Sequence, residues 1–211
     1  MVEIKYLDNV YKYDNAINGF NLGKELFKDG KAIGIIVNGK KCDLSTTITT
    51  TAEIEFIIPN SKDGLEILRH STAHLMAYAV KELYKNAKIT VGPSIENGFY
   101  YDFDVEKPLS VSDFEVIEKK MQEIVKKDER FFREEWSRND ALEYFKSTNE
   151  TYKVELINEI PEDEIISVYK LGSYVDLCRG PHVPSTRYLK YFKLTKVAGA
   201  YWRGDSKNKM L

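Results

Sequence analysis

Histidine and cysteine are scarce in this chain. Three histidines and two cysteines occur in 211 residues. The cysteines, Cys42 and Cys178, fall in segments that read as different modules. A disulfide framework is therefore excluded, and a reducing cytoplasm is the expected setting. Neither sign of charge is in excess: 31 basic side chains stand against 33 acidic ones. The balance is 7 to 8 before Ser61 and 24 to 25 after it, so neither part carries an overall basic field for nucleic acid. Any polynucleotide partner is met by local patches. No apolar run approaches membrane-spanning length, and Met1-Val2-Glu3-Ile4-Lys5 lacks the apolar core of a secretory signal, so no membrane partner is expected. What remains is 43% hydrophobic residues, enough for a substantial core in one large or two small domains.

All three histidines lie in two short pieces. The first is His70-Ser71-Thr72-Ala73-His74, within the apolar run Leu65–Leu83; the second is Asp176-Leu177-Cys178-Arg179-Gly180-Pro181-His182. Residues four apart on a helix sit one turn above each other, so His70 and His74 present their imidazoles side by side. Stepping around that helix places them away from the flank of Leu65, Leu68, Leu75, Met76, Ala79 and Leu83. Few charges interrupt the run, which predicts a helix buried on most sides. Gly180-Pro181 forbids helix in the second piece. A tight loop there brings the Cys178 thiol and the His182 imidazole to the same place. A lone His-x3-His is more often a core pair than a site; the added Cys-x3-His loop, with no histidine elsewhere, tips the reading toward a site. Two uses fit. The four donors suit zinc, or they serve without metal as acid–base and hydrogen-bonding groups.

In chain order, residues 1–60 read as a small β-rich module. Val2, Ile4 and Tyr6 alternate, Asp8-Asn9 turns, and Tyr11 and Tyr13 resume. A short helix over Leu22–Lys28, ended by Asp29-Gly30, precedes a strand over Ala32–Val37. Asn38-Gly39 is a type I′ turn signal, followed by strands Lys41–Leu44 and Glu53–Ile58. The order ββαβββ predicts a β-grasp. Nothing in this module looks catalytic, and Cys42 is expected to pack in or beside a strand. Asp63 with Glu66 resembles a capping box that starts the histidine helix. Beyond it, Ile89–Phe103 reads as strand, tight loop, strand, with Phe99, Tyr100 and Tyr101 as pocket or packing residues. Helices are predicted over 113–130, capped by Ser112 with Glu115, and over 138–147 after Ser137. Strands are predicted at Lys153–Ile157, Ile165–Tyr169, Tyr174–Cys178 and Phe192–Val197. The aromatic and basic end, Gly199–Lys209, is either an RNA contact or a strand with a linker.

Four blocks in order carry a specific resemblance: Gly64–His74, Gly92-Pro93 to Asp102, Tyr174–His182 and Gly199–Leu211. Together they resemble the N-terminal region of bacterial threonyl-tRNA synthetases across nearly all of residues 61–211, with residues 1–60 a looser match by position and pattern. The resemblance implies an α+β fold: a β-grasp (TGS-like) domain over 1–60, then an editing domain over 61–211 with an antiparallel sheet and a central histidine-bearing helix. It implies hydrolysis of serine mistakenly attached to threonine tRNA at the acceptor end. His70, His74, Cys178 and His182 would form the pocket, with Lys153 near the reacting ester. Asp176, Arg179 and Tyr100 would bind substrate. By the same resemblance no metal is expected, although related alanyl-type domains hold zinc at the four N/S positions. The parent enzyme's ATP, magnesium, core zinc and dimer interface would belong to a catalytic core following Leu211. Two readings compete: a zinc-stabilised RNA-binding module without hydrolysis, and a free-standing hydrolase acting on mischarged tRNA in trans.

Overall fold

The computed structural model describes residues 1–27 and 31–211. Strands β1 (Val2–Tyr6) and β2 (Asn9–Tyr13) form the expected hairpin, and helix α1 (Gly19–Leu26) follows. It starts earlier than its leucine pattern suggests, because the Asn18 side chain accepts the Asn21 amide. The predicted end at Lys28-Asp29-Gly30 lies outside the described residues. Strands β3 (Gly34–Val37), β4 (Lys40–Asp43) and β5 (Ala52–Ile57) complete a five-stranded sheet of order β2-β1-β5-β3-β4. Only β1 and β5 run parallel within it. Asn38 and Gly39 both take positive φ between β3 and β4, as a type I′ turn requires.

Helix α2 (Lys62–Leu83) carries the first histidine pair, and its turns from Ser71 through Val80 are buried on every side. Its cap is not Asp63 with Glu66. Ser61 caps it, accepting the Gly64 amide at 3.0 Å. The two carboxylates instead bind Lys41 of β4, at 3.2 and 2.5 Å, tying the helix start to the first sheet. Apolar packing reinforces this junction, since Ile33 and Ile57 join the core built around Ile67, Leu75 and Val80. The predicted leucine flank is buried at Leu75, Met76 and Ala79, half-buried at Leu83 and exposed at Leu65.

After α2 the 88–104 region pairs in two-residue ladders, Phe103–Asp104 with Lys88–Ile89 and Gly98–Phe99 with Ser94–Ile95. Helix α3 (Phe114–Lys126) buries Ile117, Met121 and Ile124. The preceding turn is closed by Ser110 with Asp113, not by Ser112 with Glu115. Strand β6 (Phe131–Trp136) was not anticipated, because its exposed charges hide the alternation. Helix α4 (Arg138–Ser147) begins at Ser137 as expected.

The segment predicted as a strand at Lys153–Ile157 is helix α5 (Thr151–Glu159). Its β-branched residues argue locally for strand, but Glu150 overrides them. The buried Glu150 carboxylate binds Lys81 at 2.5 Å and the Ile89 amide at 3.1 Å, and its carbonyl accepts the first helical amides. Strands β7 (Ile166–Leu171) and β8 (Tyr174–Leu177) pair antiparallel with β6 in the order β6-β7-β8. The predicted strand at Phe192–Val197 is irregular chain; the Leu194 amide goes to the Glu118 side chain rather than to a ladder. The architecture is α+β with a mainly antiparallel strand content. No helix among the described residues is long and apolar enough to cross a membrane.

Gly64 tests the junction. Its α-carbon lies so close to the preceding loop that an added Cβ would meet the Ile58 carbonyl oxygen at 1.9 Å. Helix propensity alone favours alanine by about 1 kcal/mol, whereas overpacking against backbone costs about 1–3 kcal/mol. Gly64→Ala is expected to lower the urea midpoint with an unchanged slope; a higher midpoint rejects the close approach.

Candidate functional site

Helix α2 and the loop after β8 converge as their spacing suggests. His70 Nε2 lies 3.1 Å from Cys178 Sγ, and Cys178 Sγ lies 3.4 Å from His182 Nε2. The rings of His70 and His182 stack at 4.5 Å, and His74 stands edge-on to both. One donor atom from each of His70, His74, Cys178 and His182 falls within 4.8 Å of the others. Phe131, at the start of β6, stacks on the other face of His182 at 4.7 Å.

The loop is held in place by small polar contacts. Gly180 takes φ +71°, where a side chain is strained, and its amide donates to Cys178 Sγ at 3.3 Å. The Val183 amide donates to Ser71 Oγ at 3.1 Å, and Ser71 Oγ lies 3.0 Å from His182 Nδ1. Those bonds define tautomers. With Ser71 receiving the Val183 amide, its hydroxyl proton is free for His182 Nδ1, which leaves the ring proton on Nε2 facing the thiol. His70 takes the opposite role, its Nε2 lying 3.1 Å from the sulfur and placed to accept from the thiol.

Behind this cluster lies a buried charged network. Asp176, 1% exposed, and Lys153, 2% exposed, pair at 2.6 Å. Lys153 Nζ also donates to the Thr90 carbonyl at 2.6 Å and to the Tyr101 hydroxyl at 3.2 Å. Asp176 Oδ2 accepts from Tyr101 at 2.9 Å and Tyr174 at 3.0 Å, and lies 3.3 Å from His74 Nδ1. Burial alone would raise the Asp176 carboxyl; the Lys153 ammonium, with His74, overcomes it and holds the pKa below the ordinary carboxylate value.

Burial acts the other way on the imidazoles. It lowers His70, lowers His74 to about 3 despite the Asp176 charge, and lowers His182 well below the usual value, helped by its two histidine neighbours. The Cys178 thiol is pushed up to about 12 by burial and then by Asp176. The site therefore holds neutral rings and a protonated thiol at neutral pH. A cavity of about 280 Å³ opens beside them, lined by His70, Ser94, Gly180, Pro181 and, from the first module, Lys41.

The six residues His70, His74, Lys153, Asp176, Cys178 and His182 are thus brought together. Two other candidates are not. Arg179 points outward to Glu164 at 2.7 Å, its side chain 80% exposed. Tyr100 is 44% exposed, and its neighbour Tyr101 takes the place in the network. The aromatic triplet drew attention to this strand, but only the pleat decides which ring turns inward. Sequence reasoning also passed over Ser71, Thr90, Tyr174 and Asp43. Ser71 had a signal, lying inside the histidine motif.

Comparison with known proteins adds an independent observation. The family described as threonyl and alanyl tRNA synthetase second additional domain matches residues 166–211. Over 100% of its length the chain is 50% identical to a threonine–tRNA ligase of Ehrlichia canis, of which it covers 34%. It is 53% identical over 90% of its length to that of Bordetella avium, covering 30% of it. It is 55% identical over 83% of its length to that of Ralstonia nicotianae, covering 28%. The chain spans about a third of the length of the curated relatives it matches.

The neutral imidazoles make stability depend on pH. In the unfolded chain they take up protons near pH 6.5, while in the folded chain His74 does so only near 3. The unfolded state then binds more protons, so this contribution is complete above about pH 6.5 and is lost as pH falls toward 3. Each such ring costs up to about 1.4 kcal/mol per pH unit in that window. The urea midpoint is expected to fall between about pH 7 and 5.5 with the His74 ring signals unmoved. Titration of that ring near pH 6 rejects the account.

Proposed function

Along its whole length the chain is similar to the N-terminal region of threonine–tRNA ligases, and from that premise we propose that it is the proofreading part of such an enzyme. Its reaction is hydrolysis of the ester that joins serine to threonine tRNA. The observation that carries this reading is the gathering of three neutral imidazoles and a protonated thiol beside a buried Lys153–Asp176 pair, at a cavity. The five-stranded sheet with one helix supports the β-grasp assignment for residues 1–60, and the α2-centred remainder, 61–211, supports the editing domain.

The need for a second site follows from a small energy. Serine is threonine less one methyl group, worth about 1–3 kcal/mol in a pocket. A synthetic site cannot reject serine on that margin, whereas a hydrolytic cavity can exclude threonine by size. Ester cleavage then needs an activated water, a polarised carbonyl and a proton for the departing ribose oxygen. A thiol held up at about 12 supplies no thiolate, which favours direct attack by water over a cysteinyl intermediate. We assign Cys178 to packing and hydrogen bonding. His70, on the cavity wall, orients the ribose end together with His74. His182 and Lys153 position the waters, one attacking and one protonating the ribose oxygen. The 3.4 Å contact of Cys178 with His182 is the longer of that ring's two bonds and the one a water displaces. Lys153 Nζ donates to Thr90 and Tyr101 and forms an ion pair with Asp176. The Tyr101 contact, at 3.2 Å, is the longest and the one an ester oxygen replaces. Asp176 pairs with the lysine and receives the substrate amino group. Arg179, exposed at the rim, meets the tRNA backbone near the acceptor end, and Tyr100 offers a ring to its bases.

A second reading rests on the donor set itself. Two imidazoles from one helical turn, a thiol and a loop imidazole within 4.8 Å fit zinc. His70, His74, Cys178 and His182 would hold the ion, and four protein ligands would make a closed, structural site that stabilises the fold without hydrolysis.

Seryl-tRNA is expected to lose its amino acid to this chain about 100-fold faster than threonyl-tRNA, and His182→Ala or Lys153→Met to slow the seryl reaction about 10²–10⁴-fold. Equal cleavage of both esters removes the sieve, and full activity in either variant removes the assigned roles. Binding without cleavage leaves an RNA-binding module. Hydrolysis is expected to survive exhaustive chelation; stoichiometric zinc in purified protein, lost together with activity, replaces the metal-free reading.

A further inference from the structure

We propose that Asp43, supplied by the N-terminal module, is a positioning residue for the hydrolytic site. Asp43 ends β4 and is only 8% exposed. Its Oδ1 accepts the backbone amide of His182 at 2.7 Å, across 139 residues of chain. Its Oδ2 accepts the hydroxyl of Tyr169 at 2.6 Å. Tyr169, on β7, stands edge-on to the His182 ring at 4.4 Å. Its hydroxyl also lies against Gly180, where an added Cβ would meet it at 1.8 Å. One carboxylate therefore sets both the amide of the loop imidazole and the phenol that walls it in.

Among the described residues no lysine, arginine or histidine side chain forms an ion pair with Asp43; Arg133 acts on it only at longer range. Burying a carboxylate this way is costly and raises its pKa, and the two short bonds from Tyr169 and the His182 amide offset only part of that. A simple attachment between modules is already provided nearby, by Lys41 with Asp63 and Glu66 and by Ile33 and Ile57 in the shared core. The Asp43 bonds differ from these in ending on the His182 amide and on the Tyr169 hydroxyl beside its ring. The opposite side of His182 is fixed by Ser71 Oγ, which takes the Val183 amide. Two consecutive loop amides are thus anchored to different elements, one to α2 and one to the first sheet. The module that carries no reactive group of its own completes the seat of His182.

The inference rests on the hydrolytic reading of that site, and three variants of the full chain test it. In Asp43→Ala the amide is released, and kcat for the seryl ester is expected to fall about 10²-fold with KM changed less than about threefold, as for a misplaced group near reacting atoms. Asp43→Asn retains an oxygen for the His182 amide and an NH2 group for the Tyr169 oxygen, and is expected to recover most of the rate. Asp43→Glu keeps the charge but pushes the loop outward, and is expected to stay slow. A role in charge or attachment alone ranks Glu above Asn; that order, or a loss confined to KM, overturns the proposal. Should the alanine variant not fold, the Asn and Glu pair decides alone. The His182 amide resonance gives a second readout, expected to shift upfield in Asp43→Ala and return in Asp43→Asn. If the native chain cleaves no ester, the functional reading fails, and this resonance still accepts or rejects the positioning role.

Discussion

Everything at this site depends on keeping one carboxylate ionised where water does not reach. Asp176 is bonded by Lys153, Tyr101 and Tyr174 and faced by His74. Those four come from α5, the 99–103 segment, β8 and α2, so one buried anion draws together elements that share no sheet. A pair this deep gains little net stability, because desolvation consumes most of the attraction. Its effect is arrangement: each donor has a single place to go, and the imidazoles are carried to theirs.

The same burial that makes the pair expensive keeps the rings neutral and the thiol protonated. A neutral imidazole has one donor and one acceptor nitrogen, and the contacts of Ser71 and Cys178 distribute those roles without conflict. Such a site can relay protons through water and need not form a covalent intermediate. It also retains the lone pairs a metal would seek, so one donor set supports two chemistries.

The parts of this design that were legible in the sequence are the parts with a local signature. His70 and His74 lie a helical turn apart, Gly180-Pro181 breaks the chain beside His182, and Asn38-Gly39 demands its turn. Ser137 starts α4 where a cap belongs. The illegible parts depend on distant partners. Lys153 sits in a β-branched stretch that reads as strand until Glu150 finds Lys81 and the Ile89 amide. Tyr101 rather than Tyr100 turns inward through a pleat set by short ladders. Asp43 has no pattern at all, since its two partners lie 126 and 139 residues away. Sequence shows which side chains have chemistry; it does not show which carboxylate is enclosed.

The position of Ile33 and Ile57 has a thermodynamic corollary. Ile33 immediately precedes β3 and Ile57 ends β5 of the first sheet, yet both are sealed within the apolar interior of the larger part, beside Ile67. Peeling the smaller part away would bare that interior to solvent, so no half-folded species with only one part intact is favoured. The two parts are therefore expected to melt as one cooperative unit, with a single heat-absorption peak whose calorimetric and van't Hoff enthalpies agree.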